Sequence, residues 1–191
     1  MLALSGAAMA RNKAGVSLVE LLVVLVLAGI LLGAAASAYH GVMKRQQLRV
    51  AVNDLVAAID LTRSHAIARG GPVMLGPLEA SGTDWAKGWV VFVDDNGNRR
   101  PDAGERRLFQ HGPLPDGMRV VSAFSSGGAP LYIAYNGAGR SCAASNSLSA
   151  RWGTLSLARG GEARNIKINM LGRLRVCDPA IDTVNCGGVS N

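Results

Sequence analysis

Five side chains in one short stretch have the spacing of an oxygen-ligand loop. Asp94, Asn96, Asn98, Asp102 and Glu105 stand at positions 1, 3, 5, 9 and 12 of a calcium-binding pattern. The sixth position of such a loop takes glycine for its sharp turn, and here it is Arg99. Arg100 and Pro101 add positive charge and a stiff residue, and the flanks read as strand rather than helix. A polar hairpin turn accounts for the same residues without an ion, so no metal site is assigned. His40 and His65 have no cysteine or second histidine at useful spacing. Ser64 beside His65 is adjacency in the chain, not a catalytic arrangement. A phosphate loop, a dinucleotide fingerprint and paired catalytic carboxylates are all missing from the sequence, so it offers no enzyme chemistry and calls for no cofactor.

The basic residues are more informative. The chain carries a formal net charge of +7. From Gly70 to Gly139 six basic residues meet seven acidic ones, a net of −1. From Arg140 to Arg175 seven basic residues face only Glu162, a net of +6, and Asp178 and Asp182 follow. Such a segment suits solubility or a surface that meets an anionic polymer. Within it, Ile166, Ile168 and Met170 alternate with Lys167 and Asn169, which predicts a strand with one buried and one wet face. Leu171-Gly172 allows a tight turn. Leu174 and Val176 are then expected to continue the buried side, leaving Arg173 and Arg175 together on the wet side with Lys167 across from them. Cations in a row on a rigid ribbon suit phosphate binding that does not read sequence, with Arg164 and Arg140 as further candidates. A solvated edge strand protected by its charge is the alternative.

Three cysteines stand at 142, 177 and 186, without the pairing of a zinc or thioredoxin-like motif. Cys177 and Cys186 flank residues 178–185, and a disulfide closing that loop would stabilise by roughly 2–3 kcal/mol in the chain-entropy account. Cys142 with Cys177 is the other pairing, and sequence leaves both open.

The elements that must carry these residues begin near the N-terminus. Leu21 to Ala38 is a run of 18 residues without a charge, about the minimum to span a bilayer as a helix. Arg11 and Lys13 precede it, which keeps the N-terminus in the cytoplasm and sends the rest outward. Ala36-Ser37-Ala38 has the small residues of a secretory cleavage site, but the apolar run is too long for an ordinary signal peptide. A plain anchor leaves Glu20 unexplained, because a carboxylate drawn toward the bilayer centre costs about 2.5–3.5 kcal/mol. Cleavage between Gly15 and Val16 explains it. Glu20 can then pair with the α-amino group of a neighbouring copy or partner.

Gly15-Val16-Ser17-Leu18-Val19-Glu20, with the apolar residues that follow, resembles the class III signal of type IV pilins and type II secretion pseudopilins. The resemblance implies that a prepilin peptidase cuts after Gly15 and methylates Val16, and that Glu20 serves assembly. Most members have phenylalanine where Val16 stands, and many have proline where Ser37 stands.

Helical periodicity continues beyond the apolar run. Leu48, Val52, Leu55, Ile59, Thr62 and Ala66 recur at spacings of three and four, with Val56 and Ile67 beside them. Gly70-Gly71-Pro72 ends the helix, which from Val16 to Arg69 would be about 80 Å long. Short β-like runs follow: residues 72–75, 88–93, 107–109, 119–123, 131–135, 153–158, 165–169 and 172–176, with 138–150 a polar loop. The expected class is α+β, a pilin fold with a long N-terminal helix on antiparallel sheets. Its expected parts are a leader (1–15), a transmembrane half-helix (16–40), an amphipathic half-helix (41–70) and a β-rich head (71–191).

Gly88-Trp89-Val90-Val91-Phe92-Val93-Asp94-Asp95-Asn96-Gly97-Asn98 with Asp102-Ala103-Gly104-Glu105 is similar to the head of the GspH/FimT/FimU family. So are the helix end Arg63–Gly70 and Gly172-Arg173-Leu174-Arg175. Many members have a cysteine where Gly76 stands, and its absence here would leave Cys142 unpaired. The Gly-Arg-x-Arg pattern resembles the DNA-binding motif of FimT-type minor pilins that act in natural transformation. Together these resemblances imply a minor pilin in a membrane-anchored pilus, set in the bacterial inner membrane with its head in the periplasm or on the filament. Its partners would be other pilins, the prepilin peptidase and DNA, the last through Arg173, Arg175 and Lys167. The alternative is an H-type minor pseudopilin of type II secretion, acting in protein export without DNA.

Overall fold

The structure, a computed structural model of the chain, describes residues 15–187, and within the first helix it gives the backbone alone at residues 34–38. Helix α1 spans Leu18–Arg69. Eight strands follow: β1 (Val73–Pro77), β2 (Trp89–Phe92), β3 (Arg107–His111), β4 (Arg119–Phe124), β5 (Ile133–Tyr135), β6 (Gly153–Arg159), β7 (Glu162–Ile168) and β8 (Leu174–Cys177). Each run expected from the sequence overlaps one of them, with β7 starting three residues earlier and β1 and β3 ending two residues later than expected. The chain forms two compact units, one ending at His40 and one from Gly41 onward.

In the first unit the helix begins where the Leu21 amide donates to the Ser17 carbonyl at 3.1 Å. Glu20 lies in its first turn, where the helix dipole favours a negative charge. The large apolar side chains from Val16 to Leu32 are exposed on every side. A helix that is apolar all round belongs in a protein core or in lipid. Among the described residues no helix is long and apolar enough to cross a membrane. The expected span, Leu21–Ala38, includes residues 34–38, whose side chains lie outside the described residues. So do most of the leader, with Arg11 and Lys13, and the Ala36-Ser37-Ala38 site.

In the second unit, α1 buries Leu48, Ala51, Val52, Leu55, Ala58, Ile59, Thr62 and Ala66. They recur at helical spacing and form one face. Full burial of Leu48, Leu55 and Ile59 contributes about 1.5–3 kcal/mol each. The Thr62 hydroxyl donates to the Ala58 carbonyl at 2.7 Å, which satisfies it inside the apolar face. Ile67, expected beside this face, is instead half exposed. The helix stops with the Gly71 amide donating to Ala66, a bond that the Gly70 turn makes possible.

The strands form two antiparallel sheets, β3-β2-β1-β5 and β4-β6-β7-β8. β1, β2 and β5 are buried at every residue. One face of this sheet joins the helix through Val73, Leu75, Trp89, Val91, Ile133 and Tyr135. Its other face holds a smaller cluster of Met74, Val90, Phe92, Tyr132, Ala134 and Cys142. Burial on both faces is the reason these strands read as continuous apolar runs rather than alternating ones. The segment expected as a polar loop (138–150) supplies Cys142 to that cluster.

The second sheet alternates. Leu155, Leu157, Ile166 and Ile168 enter the main core, and their neighbours face out. Met170 departs from the expected pattern: it lies in the turn after β7 and is half exposed. Val176 is likewise exposed, because β8 is the edge strand of its sheet.

Glu79 organises the turn between β1 and β2. Its carboxylate accepts from the Ser81 hydroxyl at 2.6 Å and from the backbone amides of Thr83, Asp84 and Ser81. These bonds, the Ser81 hydroxyl first, bring its pKa down from 4.5 to about 2. A lowered carboxyl pKa stabilises above the unfolded value, and that share is lost as pH falls through the folded one. Glu79→Gln should therefore lower the urea midpoint at pH 6, and the gap from the parent protein should close as pH falls from 4.5 toward 2. A gap independent of pH would show that the carboxylate charge does not hold the turn.

Candidate nucleic-acid interface

The turn from β7 to β8 places the cations. The Asn169 amide donates to the Arg173 carbonyl at 3.1 Å, and the Gly172 amide to the Asn169 carbonyl at 2.9 Å. The Asn169 side-chain oxygen accepts from the amides of Leu171 and Arg173 at 3.0 and 2.9 Å. Gly172 has φ 76°, the left-handed region that suits glycine. The buried Tyr135 hydroxyl donates to the Gly172 carbonyl at 3.2 Å, so the turn is fastened to the first sheet. Burial pushes the Tyr135 pKa up, which keeps the hydroxyl protonated as a donor.

From this turn, strand alternation and register fix what shares a face. Thr154 pairs with Lys167, and Lys167 pairs with Arg175. Arg173 lies two residues before Arg175 and so points to the same side. Arg173, Arg175 and Lys167 accordingly line one open groove. Arg164 is three residues from Lys167 and falls on the opposite face, where its guanidinium pairs with Asp178 at 2.8 Å. Arg151 is buried to 1 % exposure, its guanidinium donating to the carbonyls of Ser126 and Tyr132 between the rings of Phe124 and Tyr132. Neither belongs to an external anion site, so the basic segment presents fewer cations than its count suggests. The Arg140 loop comes alongside the turn, since Gly139 and Ser141 both approach Gly172.

A small loop sits on part of this surface. A disulfide joins Cys177 to Cys186, with Cα atoms 5.8 Å apart, and Cys142 is free and buried. Burial pushes the Cys142 thiol up to about 11. The buried Asn165 side chain donates to the Cys186 carbonyl at 2.7 Å, which presses the loop onto the outer face of β7. Lys167 Nζ donates to the carbonyls of Asn185 and Gly187 at 3.0 and 3.2 Å. Arg175 pairs with Asp182 at 2.7 Å. The Asn185 amide, and after it the Arg175 guanidinium, holds the Asp182 carboxyl below its usual range. Arg173 has no side-chain partner among the described residues. The three cations are thus brought together, but two of them are engaged by the disulfide loop. Sequence reasoning missed this engagement. It also missed Trp152, a half-exposed aromatic lining the same groove.

The calcium-like residues close on themselves. Asp94 accepts from the amides of Gly97 and Arg99, and Glu105 from those of Asp95 and Asp102. Asn96 and Asn98 donate to Asp102, and Arg99 takes a left-handed φ of 65° where a calcium loop has glycine. The arrangement is a self-bonded turn between β2 and β3.

Residues 51–172 match the family described as type II transport protein GspH, and residues 10–36 match the prokaryotic N-terminal methylation motif. A pilin-like protein, PilA1, of Thermus thermophilus is 32% identical over 168 residues, covering 86% of this chain and 99% of that protein. The type IV minor pilin FimU of Pseudomonas aeruginosa has a similar fold. One crystal form gives a TM-score of 0.55 at 17% identity, over 72% of this chain and 92% of FimU. A second gives 0.52 at 15%, over 69% and 94%. The GspH match ends at Gly172, so it speaks for the scaffold and stops short of Arg173.

Proposed function

This chain belongs to the GspH family of pilin-like structural subunits, and from that premise we propose a minor pilin that holds DNA through the turn and strand of Arg173 and Arg175. The observation that carries the DNA reading is the register that sets Lys167 opposite Arg175, with Arg173 two residues before it on the same face, bonded to Asn169 across the turn. As a pilin-family protein it is a structural component and not an enzyme. In this reading a prepilin peptidase removes residues 1–15, the apolar half-helix anchors the chain in the inner membrane, and the head stands in the periplasm or on the filament. The methylation-motif match covers Gly15, Val16 and Glu20 and supports that processing.

The test uses the unit from Gly41 onward, whose core is drawn wholly from its own residues. It should bind duplex DNA weakly, without sequence preference and with a steep salt dependence. Arg173→Gln with Arg175→Gln should remove most of that binding and lower the salt slope by about two, because two phosphate contacts are lost. The melting temperature should barely move, as both positions are exposed. Arg173 should carry the larger share, since Asp182 competes for Arg175. Arg106→Gln with Arg107→Gln is the control, being exposed and outside the basic segment. An equal loss in the control would make the attraction diffuse charge.

A second reading has a specific observation behind it: the matched family is described by type II transport. In that reading the chain is an H-type minor pseudopilin and the cations only protect the β8 edge. Absence of DNA binding at low salt would favour it.

A further inference from the structure

The groove beside the cations holds an aromatic ring as well as charge. Trp152 directly precedes β6, and alternation puts it on the face of Thr154. Gly153 pairs with Ile168, so the same register carries Trp152 to the side of Asn169. Asn169 in turn bonds Arg173 across the turn. Two rows result on one face: Trp152, Asn169 and Arg173, and beside it Thr154, Lys167 and Arg175. All six line one open groove, and none of them is acidic. Trp152 is 46% exposed, while Trp85 and Trp89 are fully buried. Its backbone is held at both ends, the Trp152 amide donating to the Ser125 hydroxyl at 3.2 Å and the Ser125 amide to the Trp152 carbonyl at 2.8 Å. The ring therefore stands on a fixed strand, about 10 Å across two strand spacings from Arg173.

We propose that this groove takes single-stranded DNA, with a base stacked on Trp152 and the adjoining backbone phosphates on Arg173 and Arg175. The proposal rests on the DNA contact described above and narrows it. A duplex keeps its base faces stacked inside and offers this surface only phosphates. A single strand offers both phosphates and bases. Stacking on an aromatic side chain tolerates any base, since every base has a π face, and it adds to the phosphate contacts rather than replacing them. A ring and cations on one rigid sheet face are the components of such a site. The Cys177–Cys186 loop borders it through Asn185, which lines the groove beside Lys167.

The test uses the full chain in non-ionic detergent and three probes of equal length: oligo(dT), an abasic strand, and a duplex. Trp152 is the exposed tryptophan, so quenching of emission reports on it. Oligo(dT) should quench emission and bind roughly 5- to 100-fold more tightly than the abasic strand. Trp152→Ala should abolish that preference and keep the abasic affinity. Trp152→Phe should keep most of the preference, which separates stacking from a folding defect. Equal affinity for oligo(dT) and the abasic strand, unchanged in Trp152→Ala, would overturn the proposal while leaving phosphate binding in place. A preference for the duplex over oligo(dT) would overturn it in the same way. Failure of all three probes to bind at low salt would sink the DNA contact itself, and the stacking site with it.

Discussion

Gly172→Ala should destabilise the folded head by about 2–5 kcal/mol, more than any single exposed charge in the same strand. Two effects add. A φ of 76° costs a residue with a Cβ about 1–2 kcal/mol. The added Cβ would also stand 2.6 Å from the Gly139 carbonyl oxygen and 2.6 Å from the Tyr135 ring. One of these is backbone and the other a buried ring, so neither withdraws cheaply, and overpacking of this kind costs about 1–3 kcal/mol. The turn cannot swing away, because Asn169 and Tyr135 hold it from both sides. Gly161 gives a matched control. It lies in the β6–β7 turn at φ 86°, with nothing within 4 Å of its Cβ position. Gly161→Ala should cost only the backbone part. Urea unfolding of the unit from Gly41 onward measures both, and equal losses would show that crowding at Gly172 contributes nothing. The glycine of the Gly-Arg-x-Arg pattern is on this account a positioning residue. It lets the turn dock on Tyr135 and so fixes where Arg173 points.

That docking explains what the sequence could and could not disclose. Local patterns were legible. The helical face from Leu48 to Ala66, the glycine stop and all eight strands follow from periodicity and turn residues, because each depends on neighbours close in the chain. What escaped were consequences of partners distant in sequence. Val176 has the right parity for a buried residue and is exposed, because edge position is a property of the assembled sheet. Arg151 counts as a surface cation until Ser126, Tyr132 and Phe124 close around it. The calcium spacing in Asp94–Glu105 is real, but backbone amides of the same loop take the carboxylate oxygens. At the groove, alternation was enough to put Arg173, Arg175 and Lys167 together. It could not show that Asp182 and Asn185 would return through the Cys177–Cys186 bond to meet two of them. Trp152 was overlooked for a related reason. It sits outside the basic strand and joins the cations only through the register of β6 with β7.

Processing at the N-terminus should behave as an all-or-none switch. The protein isolated from its own cells should have an intact mass that begins at Val16, increased by one methyl group. Gly15→Leu should keep residues 1–15, insert in the membrane and be absent from sheared filaments. Gly15 to Ser17 precede the helix in non-helical backbone, and the first helical bond is made to Ser17. A cut there frees an α-amino group one turn from Glu20. On the proposed processing, the new positive charge of one copy would meet the first-turn carboxylate of its neighbour, and the two would neutralise each other where water is scarce. In Glu20→Ala the neighbour's α-ammonium would be left unpaired there, and a charge unpaired toward the bilayer centre costs about 2.5–3.5 kcal/mol, enough for roughly a hundredfold difference in incorporation. Glu20→Ala should therefore be processed, fold its head normally and be depleted from the filament fraction. The head is insulated from that change because Glu20 and the β-sheets belong to different compact units. A mature chain starting at Tyr39 would instead show an ordinary secretory signal. A Glu20→Ala chain found in filaments at the parent level would remove charge pairing as the force that seats the subunit.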